Sequence, residues 1–435
     1  MQNAKKFIGN LLPNHQNNKP KKIARCTHGI DPKYLSKNAV NVCKTLHNHG
    51  YEAYIVGGAV RDLIIGLKPK DFDVVTNAKP SQIQSLFKRA RIIGKRFQLV
   101  HVSFGREIIE TSTFRSNASE TLNIDNQGRI LLDNAFGSQP EDAKKRDFTI
   151  NALYYDPNTE EVTDYHNGII DLKKGIIRII GNASERYRED PIRILRAIRF
   201  AAKFNGKIDK ASNLPMPFLA SKLIQNVPQS RLFDEIIKIL TCGYSIGCLE
   251  QILLKGLHCS SIPILNIALD QFSSTSFVQL ALKNTDSRVK EGKSVSCGFL
   301  FAVLLWKKVK LQFEKFEKSG RFNIKSSMIQ AVKCTINEQT KKLNIHRRFS
   351  VTMSEIWLMQ TNFDRRLKKI IYHTIKQSCF RAACDFLQLR AAFGEFDIGL
   401  AQWWMNLANA NINEREKMID SLNDQSNENI SELCK

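Results

Sequence analysis

Tyr54-Ile-Val-Gly57-Gly58-Ala-Val-Arg61-Asp62, followed closely by Lys70-Asp71-Phe-Asp73-Val74, is the stretch whose reading decides the fold. The first half is an apolar run that enters a Gly-Gly turn and then an amphipathic segment, so it predicts strand, turn and helix. Backbone N–H groups at a helix start point outward and suit a phosphate. The second half sets Asp71 and Asp73 two apart, and on a strand such side chains share a face. Paired carboxylates beside a phosphate cradle are what Mg²⁺-assisted phosphoryl or nucleotidyl transfer requires. A lone Asp-x-Asp is more often a solvated strand end. Its place just beyond Gly57-Gly58, with Arg61 in the first helical turn, is what gives it weight.

Such a metal pair usually needs a third carboxylate. Glu110 is one candidate, on the alternating run Glu107-Ile-Ile-Glu-Thr-Ser-Thr-Phe114. Asp147 is the other, in Lys145-Arg-Asp-Phe-Thr-Ile-Asn151. The residues alone leave the choice open.

Working outward, residues 1–30 carry six Lys/Arg and no acid, which predicts a flexible basic arm extending to residue 32. An amphipathic helix is expected at 36–49, a strand at 52–56, a helix at 59–66 and the Asp-bearing strand at 71–76. Pro80 opens a further helix over 80–90. Runs 97–104 and 107–114 alternate around Gly105-Arg106, and Gly in the first central position suits a tight hairpin. Residues 116–135 are polar and weakly patterned, and read as a mobile loop. From about 184 onward apolar residues recur at three and four, so the remainder is helical.

Composition bounds the partners. The chain has 435 residues, 43% of them hydrophobic, enough for several cores; Lys and Arg outnumber Asp and Glu by 65 to 42, giving +23. A surplus that large points to a polyanion, and beside a nucleotide-type site the polyanion is nucleic acid. Segment 307–348 holds twelve Lys/Arg against three Glu, interleaved with Phe313, Phe316 and Phe322. That mixture suits single-stranded nucleic acid, cations gripping the backbone and rings stacking on bases. The plainer alternative is a helix with Phe inside and Lys outside. No apolar run approaches the roughly 18 residues of a membrane span. The ten cysteines show no C-x-x-C pair, and Cys242, Cys248 and Cys259 fit no standard zinc spacing. The expectation is a soluble, cytoplasmic, monomeric protein with no membrane partner and reduced thiols.

One more constellation bears on chemistry: Tyr187-Arg-Glu-Asp190-Pro-Ile-Arg193-Ile-Leu-Arg196-Ala-Ile-Arg199. Asp190 stands where a helix N-cap belongs, with Pro191 at the first helical position. Arg193, Arg196 and Arg199 then form one stripe. An Asp accepting from an exocyclic amine and an Arg donating to ring acceptors can read a base edge.

In this order, Gly-Gly-Ala-Val-Arg-Asp, Asp-Phe-Asp, Lys-Arg-Asp-Phe-Thr-Ile-Asn-Ala-Leu and Glu-Asp-Pro-Ile-Arg-Ile-Leu-Arg, the chain resembles the bacterial poly(A) polymerase and tRNA CCA-adding nucleotidyltransferase family. The polyadenylating branch is favoured by Ile92-Ile-Gly-Lys-Arg96-Phe-Gln-Leu-Val-His101 and by Pro228-Gln-Ser-Arg-Leu-Phe-Asp-Glu235. His346-Arg-Arg-Phe-Ser, Phe380-Arg-Ala-Ala-Cys-Asp385 and Leu400-Ala-Gln-Trp-Trp404 point the same way. The resemblance implies an α+β fold: a polymerase-β-like nucleotidyltransferase head at 33–180, then an all-helical neck (181–241), body (242–345) and tail (346–410), with a frayed end at 411–435. It implies Asp71 and Asp73 as metal carboxylates for Mg²⁺ and Asp147, rather than Glu110, as the third catalytic one. Gly57, Gly58 and Arg61 would contact the triphosphate of ATP, and Asp190 and Arg193, with Arg196 nearby, would face its base. The implied activity is template-independent addition of AMP to RNA 3′ ends, a mark for decay by RNA-degradation machinery. The rivals are CCA addition to tRNA and, in another class, a non-catalytic RNA-binding protein. One departure stands out, since some relatives end in a strongly basic tail and this chain ends mildly acidic.

Overall fold

The structure, a computed structural model, describes residues 20–94, 98–116, 123–124, 130–132, 136–224, 227–257, 263–272, 276–343 and 345–433. They fall into two compact units. The first comprises residues up to Arg193 and Phe204–Leu219; the second comprises Ile194–Lys203 and everything from Ala220 on. The division falls inside one helix, Ile192–Lys203. The first unit therefore reaches past residue 180, where the sequence placed the end of the head.

The first unit is built on a sheet of eight strands. In chain order these are β1 (Lys21–Ile23), β2 (Ala53–Val56), β3 (Asp73–Thr76), β4 (Ala90–Ile93), β5 (Leu99–Phe104) and β6 (Glu107–Thr113). A small separate pair, β7 (Asn123–Ile124) and β8 (Ile130–Leu132), precedes β9 (Leu153–Asp156) and β10 (Glu161–Asp164). The sheet order is β1-β10-β9-β2-β3-β6-β5-β4. Neighbours run antiparallel except β3 and β6, which are parallel.

Both faces of the central strands are covered. Ile55 and Val74 join one core with Ala39, Val42, Leu46, Ile83 and Val100. Val56 and Val75, one residue on, join another with Phe114, Ala143 and Tyr154. That is why the segments around them read as continuous apolar runs rather than as an alternation. Each such buried side chain contributes about 1.5–3 kcal/mol. The helix Lys37–Asn48 covers the first face with Ala39, Val42, Cys43 and Leu46, and the Ser36 hydroxyl caps it by accepting from the Ala39 N–H at 3.2 Å. The hairpin expected at Gly105-Arg106 forms, with Gly105 at φ +61°.

Two segments differ from expectation. Residues 20–32 are not a free arm: β1 adds to the open edge of β10, and Ile30 is buried. His28 fixes the turn between them, its Nδ1 accepting from Ile30 N–H and its Nε2 meeting the Glu160 carbonyl at 3.0 Å. Charge counting hid a strand whose main chain does the pairing. Residues 1–19 of that arm, and most of the polar loop 116–135, lie outside the described residues. So do Lys95, Arg96 and Phe97. At the other end, Ile412–Leu433 is a helix rather than a frayed tail, anchored by Ile419 in a core with Trp404, Phe363 and Leu387.

The second unit is helical throughout. The basic segment spans the end of helix Cys297–Lys318 and the helix Ile324–Leu343. Phe316 and Phe322 meet edge to face at 5.9 Å, and Phe322 is 39% exposed. No single helix among the described residues is long and apolar enough to cross a membrane.

Candidate active site

Four residues line up across the sheet. Val56 at the end of β2 pairs with Asp73 at the start of β3, Asp73 pairs with Glu110 on β6, and Glu110 pairs with His101 on β5. Register partners on adjacent strands project to the same face. Asp73 and Glu110 are therefore neighbouring exposed carboxylates, with Glu110 Oε1 3.4 Å from His101 Nε2. Asp71 stands exposed just before β3 rather than on it. The strand-face argument for the Asp pair thus fails in form, but their proximity holds: Asp71 acts electrostatically on Asp73.

The Asp73 carboxyl is pushed up to about 6. The surrounding protein mass is the first cause, even though the side chain also opens to solvent; Glu110 and Asp71 add to it and Arg146 opposes them. Crowded carboxylates of this kind are relieved by a divalent cation. Among the described residues no group of three or more acidic, His or Cys side chains forms a ready-made metal site, so a cation here would need waters and substrate phosphates to complete its shell. An open set of oxygens fits Mg²⁺, which keeps waters and takes substrate phosphates as ligands.

Beyond Val56, Gly57 adopts φ +74°, ψ −125° and opens the helix Gly58–Ile64. A side chain there would be strained in the backbone, and its Cβ would lie 3.4 Å from Arg146 Nη1. Arg61 turns inward and is buried. It donates from Nη1 to Asn151 Oδ1 at 2.5 Å, grips Asp62 Oδ1 through Nε and Nη2 at 2.8 and 2.7 Å, and lies over the Phe204 ring at 5.0 Å. Arg61 thus braces the turn from beneath, through Asn151 and the neighbouring Asp62.

Asn151 also donates to Asp147 Oδ1 at 3.0 Å, and that oxygen accepts the Phe148 N–H at 2.8 Å. Asp147 therefore belongs to the chain Arg61–Asn151–Asp147, whereas the register sets Glu110 beside Asp73. Sequence reasoning passed over the residues under this chain. Asp142, 1% exposed, accepts from Arg115 Nε and Arg146 Nε at 2.9 Å each and from the Tyr154 hydroxyl at 2.7 Å. Burial disfavours its charge, but Arg146 and Arg115 outweigh it and hold the carboxyl well below the usual range. The signal was present in the sequence: Ser138 and Glu141 form a capping box, and Asp142 and Arg146 are one helical turn apart.

Asp190 closes the helix Ala183–Glu189, and its carbonyl accepts the Arg193 N–H at 3.1 Å, so it ends one helix as well as preceding the next. Arg193 Nη1 donates to the Arg186 carbonyl at 2.7 Å and to Glu189 at 3.0 Å. Arg186 in turn donates to the carbonyls of Lys145 and Arg146, tying this segment to the bend that follows the helix Gln139–Lys145. Arg196 lies over Phe200, one turn on. Arg199, the third arginine of the stripe, is paired with Glu235 at 2.7 Å, both largely buried.

Adjacent carboxylates on the central strands of the sheet, beside a glycine turn that opens a helix, define a nucleotidyltransferase head. Three family models match: "Poly A polymerase head domain" over residues 53–178, "Probable RNA and SrmB- binding site of polymerase A" over 206–269 and "Polymerase A arginine-rich C-terminus" over 321–432. Poly(A) polymerase I of Haemophilus influenzae is 40% identical over 401 residues, covering 90% of this chain and 88% of its own. A CCA-adding enzyme of Oceanobacillus iheyensis matches over less than half, 38% identical across 46% of this chain and 48% of its own. The fold is also that of the Bacillus stearothermophilus CCA-adding enzyme solved with CTP, with a TM-score of 0.60 at 22% identity over 87% and 82% of the two chains.

The chain belongs to the bacterial poly(A) polymerase family. It is a polynucleotide adenylyltransferase, adding AMP from ATP to RNA 3′ ends, and the full-length match sets CCA addition aside.

Proposed function

We propose that the reaction takes place along the row Val56–Asp73–Glu110, with Asp71, Asp73 and Glu110 as the carboxylates that hold Mg²⁺. The observation that carries this is the register of Asp73 opposite Glu110, beside the turn at Gly57-Gly58. Mg²⁺ held there would offset charge on the α-phosphate and ease deprotonation of the attacking hydroxyl. The RNA 3′-hydroxyl attacks the α-phosphorus in line and pyrophosphate leaves. The N–H groups opening the Gly58–Ile64 helix receive phosphate oxygens. Arg61 and Asp147 act one step back, positioning Asn151 and the turn. Asp190 and Arg193, with Arg196 on the same helix, face the base of ATP.

In this reading the head spans 33–180, followed by neck, body and tail to about residue 410. The enzyme works as a cytoplasmic monomer, and the tails it adds hand RNA to the degradation machinery. The basic helices of 307–348 hold the RNA behind its 3′ end. The test offers an unstructured RNA oligomer with ATP alone, then a tRNA lacking its end with CTP and ATP, each with and without Mg²⁺. Long Mg²⁺-dependent homopolymer tails on the first substrate support the reading. C-C-A addition that stops, or extension in EDTA, overturns it.

A further inference from the structure

Cys242 lies in the short segment between the helices Gln229–Leu240 and Ser245–Leu254, and Cys248 lies in the first turn of the second helix. Their sulfur atoms are 3.9 Å apart, and no disulfide joins them. Cys242 is half-buried and reachable; Cys248 is fully buried behind it. Cys242 Sγ also meets the Ile239 carbonyl at 3.2 Å, so the thiol is held in place rather than free to swing. Between the two, Gly243 takes φ +83°, packed against Val289, which folds the chain back tightly. Asp286 fixes the far side by accepting the N–H groups of Ser245 at 3.0 Å and Ile246 at 3.3 Å.

We propose that Cys242 and Cys248 form a peroxide-responsive dithiol site that closes to an intramolecular disulfide. The distribution of roles follows from exposure. Cys242, the less buried of the two, is the sulfur that a peroxide reaches first, and Cys248, enclosed, is the resolving thiol. The hydrogen bond between the two sulfurs favours the thiolate at Cys242, drawing its pKa down against burial, while burial and the same bond push Cys248 up. A low-pKa, accessible thiol with a resolving neighbour is the arrangement that oxidises reversibly.

The step balances. The Cys242 sulfur attacks hydrogen peroxide, the O–O bond breaks, Cys242 becomes a sulfenic acid and one water leaves. The Cys248 sulfur then attacks the Cys242 sulfur; the S–S bond forms, the S–O bond breaks, and the Cys248 proton leaves with the hydroxyl as a second water. Closing the bond brings the sulfurs from 3.9 Å to about 2.05 Å. The product staples the turn between two helices. The second of these packs on the helix that carries Arg196, since a Cβ at Gly247 would touch Ala202 at 3.6 Å.

The experiment treats the reduced full-length protein with a slight excess of hydrogen peroxide, caps remaining thiols with N-ethylmaleimide and cleaves after Tyr244. The expected result is two fragments, one with Cys242 and one with Cys248, held together until dithiothreitol is added. In Cys248→Ala the expected product is a Cys242 sulfenic acid trapped by dimedone, and in Cys242→Ser the fragments separate. A second Cys248→Ser variant and a thermal melt of each protein show that the fold is intact. Both cysteines recovered as maleimide adducts after peroxide, or Cys242 found linked to a different cysteine, overturns the proposal.

Discussion

Asp73 and Glu110 are register partners on the one parallel strand pair of the sheet, β3 and β6. The pairing sets the first residue of β3 beside the middle of β6, so the two carboxylates stand together on one face of the sheet. Glu110→Gln is therefore expected to lose nucleotide incorporation by a hundredfold or more, on the order of single electrostatic contributors to a transition state. Asp71→Asn and Asp73→Asn should lose it as well, all three retaining RNA binding. Asp147→Asn instead should keep most of the incorporation and the fold, because its amide oxygen can still accept from Asn151 and the Phe148 N–H. Primer extension across a Mg²⁺ titration, beside a thermal melt, separates the two. A fully folded Asp147→Asn as inactive as Asp73→Asn would return Asp147 to the metal.

The raised Asp73 carboxyl gives a pH dependence with a definite sign. Its folded pKa, about 6, lies above the ordinary carboxylate value. Between the ordinary value, about 4, and this one, the native state keeps a proton that the unfolded chain has released. Stability contributed at this position therefore falls as pH rises through that window, and Asp73→Asn removes the fall. Mg²⁺ requires the deprotonated form, so its stabilising effect should be small near pH 5 and full near pH 7.5, roughly one to two units either side of the shifted value. Thermal-shift measurements with and without Mg²⁺ at both pH values check this. An equal Mg²⁺ shift at both would show that Asp73 is not the titrating ligand.

Much of this site was legible in the sequence because it rests on local rules. Gly57-Gly58 announces a turn and Gly105 a hairpin, and each forms as the residues imply. What was not legible depends on where distant segments meet. Nothing near Arg61 signals that Asn151 and Phe204 will draw its guanidinium inward. Nothing near Glu110 says which strand it will pair beside. The stripe Arg193–Arg196–Arg199 was read correctly in spacing, yet Arg199 faces Glu235, far along the chain, and so leaves the stripe.

Asp142 holds two guanidinium groups and the Tyr154 hydroxyl from a buried position. Removing it strands the buried Arg146 without its counter-charge. Asp142→Ala should therefore cost about 3–5 kcal/mol, and Asp142→Asn less, since the amide oxygen still accepts. Because its folded pKa lies below the ordinary value, its contribution is present above the ordinary carboxylate range and lost only as pH falls through the lower folded value. Denaturant unfolding followed by circular dichroism at neutral and acid pH measures both effects. A neutral-pH loss below about 1 kcal/mol would mean that water replaces the carboxylate.

The pair Arg199–Glu235 makes the matching case in the helical unit. Their side chains are 12% and 3% exposed, and the guanidinium also lies over Phe200 at 4.7 Å. Glu235→Ala leaves Arg199 charged and buried and should cost about 3–5 kcal/mol. Replacing both, as in Arg199→Met with Glu235→Leu, should recover most of that loss, because apolar groups of similar volume need no partner. All four tryptophans, Trp306, Trp357, Trp403 and Trp404, belong to this unit, so tryptophan fluorescence follows its unfolding without signal from the head. The expected order of urea midpoints is wild type, double variant, then Glu235→Ala well below both. If Glu235→Ala unfolds at the wild-type midpoint, the ion pair is solvated in solution and contributes no more than a surface bridge.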